Sequence, residues 1–446
     1  MEQIFDTLMR VALIKRASGS VSVHRLIQNS FLQMNFYDKF EKVQGFFDTA
    51  CQLLNYRYPK SDTGYSHMGK WEACARYLPH VTSMAHLYEK HTRLKAKLTA
   101  STEFMRMVRN CAWFQYECSN HRACLDLLEI GMHGCADKSG LEYAHFCSHA
   151  ACALYELHEV PRGREFMEVA VQTRVRLLGP DDGQLANAFS NKALLELSDC
   201  NYKEALRLFE DALKIRKRIN NYYIASNHAL LGLTYVFMGD SSQAERELDE
   251  CVRICKEGGT KMDYVYSMWG YQEPPKRQNK LTLYSERFFR GNLALKRGDI
   301  QEAKNIFMEG RSVIAKLSPT SVKVSAFEYK LGYVELKLNN IQSAMQVLFH
   351  FVEVALLMLL SRDHLNTSIT ITKYQEIEGE LGRAYRLKAI ALRKKQILNE
   401  AEQIELDYAE TISKDMLRKY FKGREAEKES LTEEEQYDML LCGQRR

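Results

Sequence analysis

Residues 230–254 read LLGLTYVFMGDSSQAERELDECVRI, and this stretch decides the fold. Gly232, which has no side chain, stands twelve residues before Ala244 and sixteen before Leu248. Two antiparallel helices explain this spacing, because the two small residues let the helices approach closely. The large residue then fills the space between neighbouring hairpins.

The same spacing of two small residues and one large residue recurs along the chain. It is clear in residues 191–213, 290–310 and 330–351, and weaker in two copies before them. The first small residue of each copy, called here the small position, is one of the following: Cys111, Ala151, Ala193, Gly232, Gly291 and Gly332. The steps between them are 40, 42, 39, 59 and 41 residues. One hairpin cannot bury its own apolar face, so the hairpins are expected to stack.

This pattern resembles the tetratricopeptide repeat, whose consensus L-G, Y, G and A correspond here to Leu231-Gly232, Tyr235, Gly239 and Ala244. The resemblance implies an all-α protein, a right-handed superhelical solenoid of helix hairpins. A period of about 40 instead of 34 residues implies longer helices, with the extra turns shared across each hairpin. A seventh pair of poor consensus is expected near residues 377–416, because terminal repeats are atypical.

The long step between Gly232 and Gly291 locates an insertion after Cys255. We predict a loop over residues 257–279, which contains Gly258-Gly259 and Pro274-Pro275. A loop of this length suggests a role, so its aromatic residues are candidate partner-binding residues. They are Tyr264, Tyr266, Trp269 and Tyr271. The alternative is that they fold back and fill the protein's own groove.

The flanks resemble those of fungal NLR-like proteins, in which a nucleotide-binding module precedes a winged helix, a linker and tetratricopeptide repeats. The first residues look like the end of that winged helix, with a hairpin at Ser18-Gly19-Ser20. Trp71 and Leu78-Pro79-His80 resemble the linker, and the final YDMLLCGQRR resembles the closing segment. The resemblance implies the C-terminal repeat arm of such a protein (NB-ARC–TPR, STAND class), without its nucleotide-binding module.

These signals divide the chain into six parts. We predict a winged-helix-like remnant (1–39), a helical linker (40–100), repeats 1–4 (101–256), the insertion loop (257–279), repeats 5–7 (280–418) and a charged C-terminal tail (419–446).

Composition argues against several classes of partner. The 62 basic and 57 acidic residues are interspersed, whereas a nucleic-acid surface needs clustered basic residues. The longest apolar run, residues 347–360, is shorter than the roughly 20 residues of a membrane-spanning helix. No secretory signal is visible, and twelve cysteines without a CxxC pair indicate free thiols. We therefore expect a cytoplasmic protein without nucleic-acid or membrane partners.

No pattern of catalytic residues stands out. Gly64 to Lys70 imitates a phosphate-binding loop, but Trp71 replaces the magnesium-binding Ser or Thr and no apolar strand precedes it. Residues 111–158 are rich in Cys and His at helical spacing, which permits a metal site. Packing of cysteine as a small apolar residue is the favoured explanation. We expect no enzyme activity, no cofactor and no metal.

The first helix of each repeat lines the inner groove in tetratricopeptide proteins, which gives candidate partner-binding residues. They are Asn187, Ser190, Leu194, Ala229, Leu233, Phe237, Phe288, Asn292, Lys296, Tyr329, Tyr333 and Lys337. This apolar and aromatic set suits an extended peptide or an amphipathic helix. The alternative is that these residues pack on neighbouring helices or on the insertion.

The sequence therefore predicts a non-catalytic scaffold that binds another protein, related to the regulatory or sensor arm of fungal NLR-like proteins. Residues 176–197 also resemble the repeats of kinesin light chains, so a cargo adaptor is an alternative. Residues 1–100 lack the heptad pattern that such an adaptor needs. A third possibility is an accessory protein of a fungal biosynthetic pathway. The partner and the oligomeric state stay open.

Overall fold

The computed structural model describes fourteen stretches of the chain, which belong to two compact units. The described residues are 14–17, 20–23, 40–60, 70–92, 98–118, 120–157, 159–221, 223–268, 276–317, 322–348, 370–395, 398–421, 428–429 and 431–438. Unit 1 comprises Met1–Phe114 and His133–Ala136, and unit 2 comprises Gln115–Met132 and Asp137–Arg446.

Unit 1 contains the predicted hairpin. Strand β1 (Ile14–Ala17) pairs antiparallel with β2 (Ser20–Val23), and Ala17 lies opposite Ser20. Two residues, Ser-Gly, separate the strands, which is a favoured hairpin connection. The helices expected on either side of this hairpin in a winged helix lie outside the described residues.

Unit 1 also contains α1 (Phe40–Arg57), α2 (Trp71–Thr92) and most of α3 (Thr102–Glu117). The linker predicted over residues 40–100 is thus helical where it is described. Phe47 of α1 is buried against Phe104, with ring centroids 5.2 Å apart. Phe104 in turn lies 4.9 Å from Tyr88 of α2. These three aromatic rings join the helices of unit 1.

Unit 2 is built from helices that pair in hairpins along the chain. They are α4 (His121–Gly134), α5 (Leu141–Glu156), α6 (Val160–Leu177), α7 (Gly183–Ser198), α8 (Tyr202–Arg218), α9 (Ile224–Met238), α10 (Ser241–Met268), α11 (Lys276–Arg297), α12 (Ile300–Leu317), α13 (Val322–Lys337), α14 (341–348), α15 (Thr370–Arg393), α16 (Glu400–Tyr420) and α17 (Glu433–Asp438). The prediction of a helical solenoid is confirmed, and the seventh pair is α15 with α16.

Close contact between the small position and the large residue sixteen positions later fixes each hairpin. A methyl group added at Gly291 would lie 2.3 Å from the ring of Phe307. The same addition at Gly232 or Gly332 would lie 2.8 Å from Leu248 or Leu348, respectively. The predicted reason for the small residues is therefore confirmed in these three hairpins.

Four hairpin turns share one backbone conformation, seven residues after the small position. Cys200, Gly239, Gly298 and Asn339 all have a positive φ, between 60° and 86°. The next amide then donates to a carbonyl in the last turn of the first helix, as Asp240 does to Tyr235 over 3.0 Å. A left-handed residue that ends a helix in this way fixes where the second helix begins. The number of residues from the small position to the large residue is therefore constant. Repeats differ in length only in the part of the chain that follows the large residue.

The insertion differs from the predicted loop over 257–279. Helix α10 continues to Met268, and α11 already begins at Lys276. Met262 and Tyr266 continue the helical spacing of Cys251 and Cys255, and no proline lies between Ser241 and Pro274. Helical periodicity thus outweighs the cost of Gly258-Gly259, about 1 kcal/mol per glycine.

The segment predicted as a charged tail, residues 419–446, includes packed structure. Tyr437 of α17 is buried against Leu417 and Phe421 at the end of α16. The guanidinium of Arg386 on α15 lies 4.6 Å from the Tyr437 ring centroid. Burial of the Tyr437 ring and its contact with Arg386 help to hold this segment on the last hairpin.

Where the structure is described, none of the helices combines the length and the apolar character that crossing a membrane requires. The apolar run 347–360 lies outside the described residues beyond Leu348.

Gly291→Ala tests the close packing of the hairpins. The added methyl group would force the Phe307 ring to move, so we expect the free energy of unfolding to fall by about 1–3 kcal/mol. Urea denaturation measures this change. Gly45→Ala on α1 is the matched control, since no atom lies within 4 Å of the added methyl group. It should stabilise the protein by up to about 1 kcal/mol. Equal effects of the two substitutions would contradict the packing.

Candidate partner-binding surface

The first helices of neighbouring hairpins contact each other directly in unit 2. The contacting pairs include α5 with α7, α9 with α11, and α13 with α15. Among the described residues, the second helices of neighbouring hairpins make no comparably extensive contacts. We call the first helices the inner helices and the second ones the outer helices.

Six of the twelve predicted groove residues are buried between helices. They are Ser190, Ala229, Leu233, Phe288, Asn292 and Tyr329. The Phe288 ring packs edge-on against Phe327, with centroids 5.2 Å apart, and Tyr329 lies under the Arg383 guanidinium at 3.7 Å. These side chains join successive hairpins, which agrees with the alternative that the candidate residues pack on neighbouring helices. They offer little surface to a partner.

The other six residues are half-buried or exposed. Leu194, Phe237 and Tyr333 are half-buried and Lys296 and Lys337 are exposed, while the half-buried Asn187 accepts a hydrogen bond from Arg216 at 3.0 Å. Phe237 stacks on Tyr202 with ring centroids 5.6 Å apart. The accessible part of the predicted groove is therefore two aromatic rings, one leucine and two lysines.

Residues 184–257, which form α7 to α10, match the family model of the tetratricopeptide repeat. This stretch is therefore similar to tetratricopeptide repeats. No match to the sequence was found among curated proteins.

Solved structures with similar helical repeats include a Rap protein in complex with Competence and Sporulation Factor. It is 8% identical, with 84% of this chain and 99% of that chain covered and a TM-score of 0.49. A tetratricopeptide repeat protein of Parabacteroides merdae is 13% identical, with 64% and 91% covered and a TM-score of 0.40. A Podosopora anserina protein with nearly identical TPR-like repeats, assigned as a kinesin light chain, is 15% identical, with 48% and 95% covered and a TM-score of 0.36.

Adjacent hairpins are joined by ion pairs with a buried carboxylate, which the sequence analysis missed. Glu335 of α13 is 5% exposed and accepts hydrogen bonds from Lys304 of α12 at 2.7 Å and from Asn340 at 2.9 Å. Burial opposes the ionisation of Glu335, but hydrogen bonds from Lys304, Asn340 and Ser343 outweigh it and hold its pKa below the ordinary value. The carboxylate is thus charged at neutral pH.

The same arrangement occurs three hairpins earlier. Glu196 of α7 is buried, accepts from Asn201 at 2.9 Å and lies 3.7 Å from Arg164 of α6. Both glutamates stand three residues after a small position, and both cations stand thirteen residues after the preceding one. The two pairs therefore fix how one repeat stacks on the next. The two partners of each pair are some thirty residues apart in the sequence. Because both pairs occupy the same positions relative to the small positions, a comparison of the repeats could have found them.

The metal-capable residues do not gather into a metal site within the described part of the chain. Among the described residues, no group of three His, Cys, Asp or Glu side chains is arranged to hold a metal ion. Burial raises the pKa of Cys111 and Cys152 to about 12 each, so both thiols are protonated and poor ligands at neutral pH. Tyr264 and Tyr266 lie within helix α10, whereas Trp269 and Tyr271 lie outside the described residues. Residues 64–69, which imitate a phosphate-binding loop, also lie outside them.

Glu335→Gln tests the buried ion pair between repeats. Because the pKa of Glu335 is lowered on folding, its contribution is present above the usual carboxyl pKa and is lost as the pH falls through the folded value. We expect a loss of about 1–3 kcal/mol at pH 7 that shrinks below the usual carboxyl range. Thermal unfolding across this pH range measures it. Glu72→Gln, in an exposed pair with Arg76, is the control and should change stability by less than about 0.5 kcal/mol at every pH. A loss that is independent of pH would contradict the assignment.

Proposed function

We propose that the protein is a non-catalytic scaffold that binds a protein or peptide along the inner helices of its tetratricopeptide repeats. The observation that carries the proposal is the group of accessible apolar side chains on inner helices, namely Leu194, Phe237 and Tyr333. Aromatic residues are enriched at the centres of protein interfaces. Here they stand on helices whose positions are fixed by the hairpin packing, so little conformational entropy is lost on binding.

Buried contacts below this surface support the proposal. Arg216 of α8, itself 5% exposed, donates to Asn187 and Asn227 on successive inner helices, and Asn227 donates to the carbonyl of Phe209 at 2.9 Å. Hydrogen bonds of this kind hold the inner helices at a fixed separation. A rigid, partly apolar surface of this type suits an extended peptide or an amphipathic helix.

Within this class, we infer a regulatory or sensor arm of the fungal NLR-like kind. The support is the resemblance of the flanks, the repeats themselves and the β1–β2 hairpin at the expected place. We also infer a cytoplasmic location, since twelve cysteines without a CxxC pair are typical of a reducing compartment. A phosphate-binding loop upstream in the genomic reading frame would support the relationship.

Affinity capture with a triple alanine variant tests the binding surface. Leu194→Ala, Phe237→Ala and Tyr333→Ala together remove the accessible apolar side chains without touching the buried ones. We expect captured partners to bind at least about tenfold more weakly, since truncation of a central interface residue typically costs more than about 1 kcal/mol. Quantitative mass spectrometry of the captured proteins measures this change.

The matched control for that variant has Val175→Ala, Met308→Ala and Ile404→Ala. All three residues are exposed apolar side chains on the outer helices α6, α12 and α16. The control should capture the same partners as the wild type. Unchanged capture by a folded inner-helix variant, or an equal loss in the control, would rule out the inner helices as the binding surface.

A further inference from the structure

Three lysines at the carboxyl ends of inner helices have no acidic partner. Lys296 is the second-last residue of α11, Lys337 ends α13, and Lys394 directly follows α15. Within the part of the chain that the structure describes, none of their ammonium groups pairs with a carboxylate. Lys394 was not among the predicted groove residues, because the seventh repeat has a poor consensus.

Two of these lysines make the same contact in different repeats. The Nζ atom of Lys296 donates to the carbonyl of Val236 in the last turn of α9, over 2.6 Å. The Nζ atom of Lys394 donates to the carbonyl of Leu336 in the last turn of α13, over 3.1 Å. Each accepting residue follows its small position by four. An ammonium group has three N–H donors, so each lysine keeps two for another partner.

The ammonium of Lys296 is the most constrained of the three. Its partial burial lowers its pKa, and no nearby carboxylate offsets this effect. Its other close neighbour is the Phe237 ring, 6.0 Å from Nζ. A partly desolvated cation without a counter-charge gains more from an arriving anion than a fully solvated one does.

Lys337 presents the same combination of charge and aromatic ring. Its Nζ lies 5.2 Å from the centroid of Tyr333, and the side chain is exposed. Accessible aromatic rings of the inner helices are thus next to unpaired positive charges at two places along the stack.

Nearby lysines that lie elsewhere on the same repeats are neutralised by carboxylates. Lys304 pairs with Glu335 over 2.7 Å, Lys388 with Glu405 and Lys395 with Glu402. The carboxylates of Glu335, Glu405 and Glu402 are therefore already paired, which leaves Lys296, Lys337 and Lys394 without a counter-charge among the described residues. The chain as a whole has a formal charge of only +5 among 119 charged side chains, so these three unopposed lysines are a local feature.

We propose that Lys296, Lys337 and Lys394 recognise the carboxylates of an acidic peptide segment bound along the inner helices. This inference rests on the proposed function and adds the chemistry of the partner. Apolar side chains of the segment contact Phe237 and Tyr333, and its Asp or Glu side chains pair with the lysines. Charge complementarity of this kind chiefly sets specificity and the rate of association.

Selection from a displayed library of random 12-residue peptides tests this proposal on the full chain. We expect the selected peptides to be enriched in Asp and Glu relative to the input library. In a variant with Lys296→Gln, Lys337→Gln and Lys394→Gln the enrichment should disappear. Individual selected peptides should bind this variant on the order of tenfold more weakly by fluorescence anisotropy, and wild-type binding should weaken with added salt.

A variant with Lys203→Gln, Lys256→Gln and Lys316→Gln is the matched control. It makes the same change of charge at exposed lysines of the outer helices α8, α10 and α12. The control should select acidic peptides as the wild type does. Selection of neutral or basic peptides, or an acidic enrichment that survives in the inner-helix variant, would overturn the proposal.

Further outcomes separate this inference from the function on which it rests. Neutral peptides that bind the wild type and are lost in the Leu194, Phe237 and Tyr333 alanine variant would leave the scaffold standing and refute the acidic partner. A failure to enrich any peptide over an unrelated control protein would count against both. Tighter binding of a single-stranded DNA oligonucleotide of the same charge than of any selected peptide would refute a peptide partner.

Discussion

The contact between a small residue on an inner helix and a large residue sixteen positions later on the outer helix underlies the rest of unit 2. At Gly291 the ring of Phe307 occupies the volume that a side chain would need, and Leu248 and Leu348 do the same at Gly232 and Gly332. Such contacts set both the separation and the register of the two helices. The left-handed turn residues, such as Gly239, are required because the chain must reverse within two or three residues to make this contact.

Stacking of these hairpins needs a second set of interactions, because apolar surfaces alone do not specify which face meets which. The pairs Lys304–Glu335 and Arg164–Glu196 join consecutive repeats at equivalent positions. A buried carboxylate that loses its cation pays the full cost of desolvation, so a shifted stack is strongly disfavoured. With the helices held in this way, Phe237 and Tyr333 are presented in fixed positions.

Much of the fold was predictable from the sequence, because the constant spacing of small and large residues depends on local geometry. The helical extension of α10 through Gly258-Gly259 was not predicted, since glycine pairs usually mark turns. The inner-helix positions were treated alike in the sequence analysis, although they differ in burial. The candidates three residues before a small position, such as Phe288, are buried, whereas those five residues after it, Phe237, Lys296 and Lys337, stay accessible. Lys394 was missed because the seventh repeat has a poor consensus, so its small position was not identified.

If the scaffold binds its partner through the inner helices, binding should slow hydrogen exchange in the inner helices and leave the outer helices unchanged. Hydrogen–deuterium exchange of the full chain, with and without a captured partner, tests this central claim most directly. We predict added protection at the accessible ends of the inner helices α9, α11 and α13, where Phe237, Lys296 and Tyr333 lie, and no change in the outer helices α8 and α12. Protection concentrated in the outer helices, with the inner helices unchanged, would contradict the account.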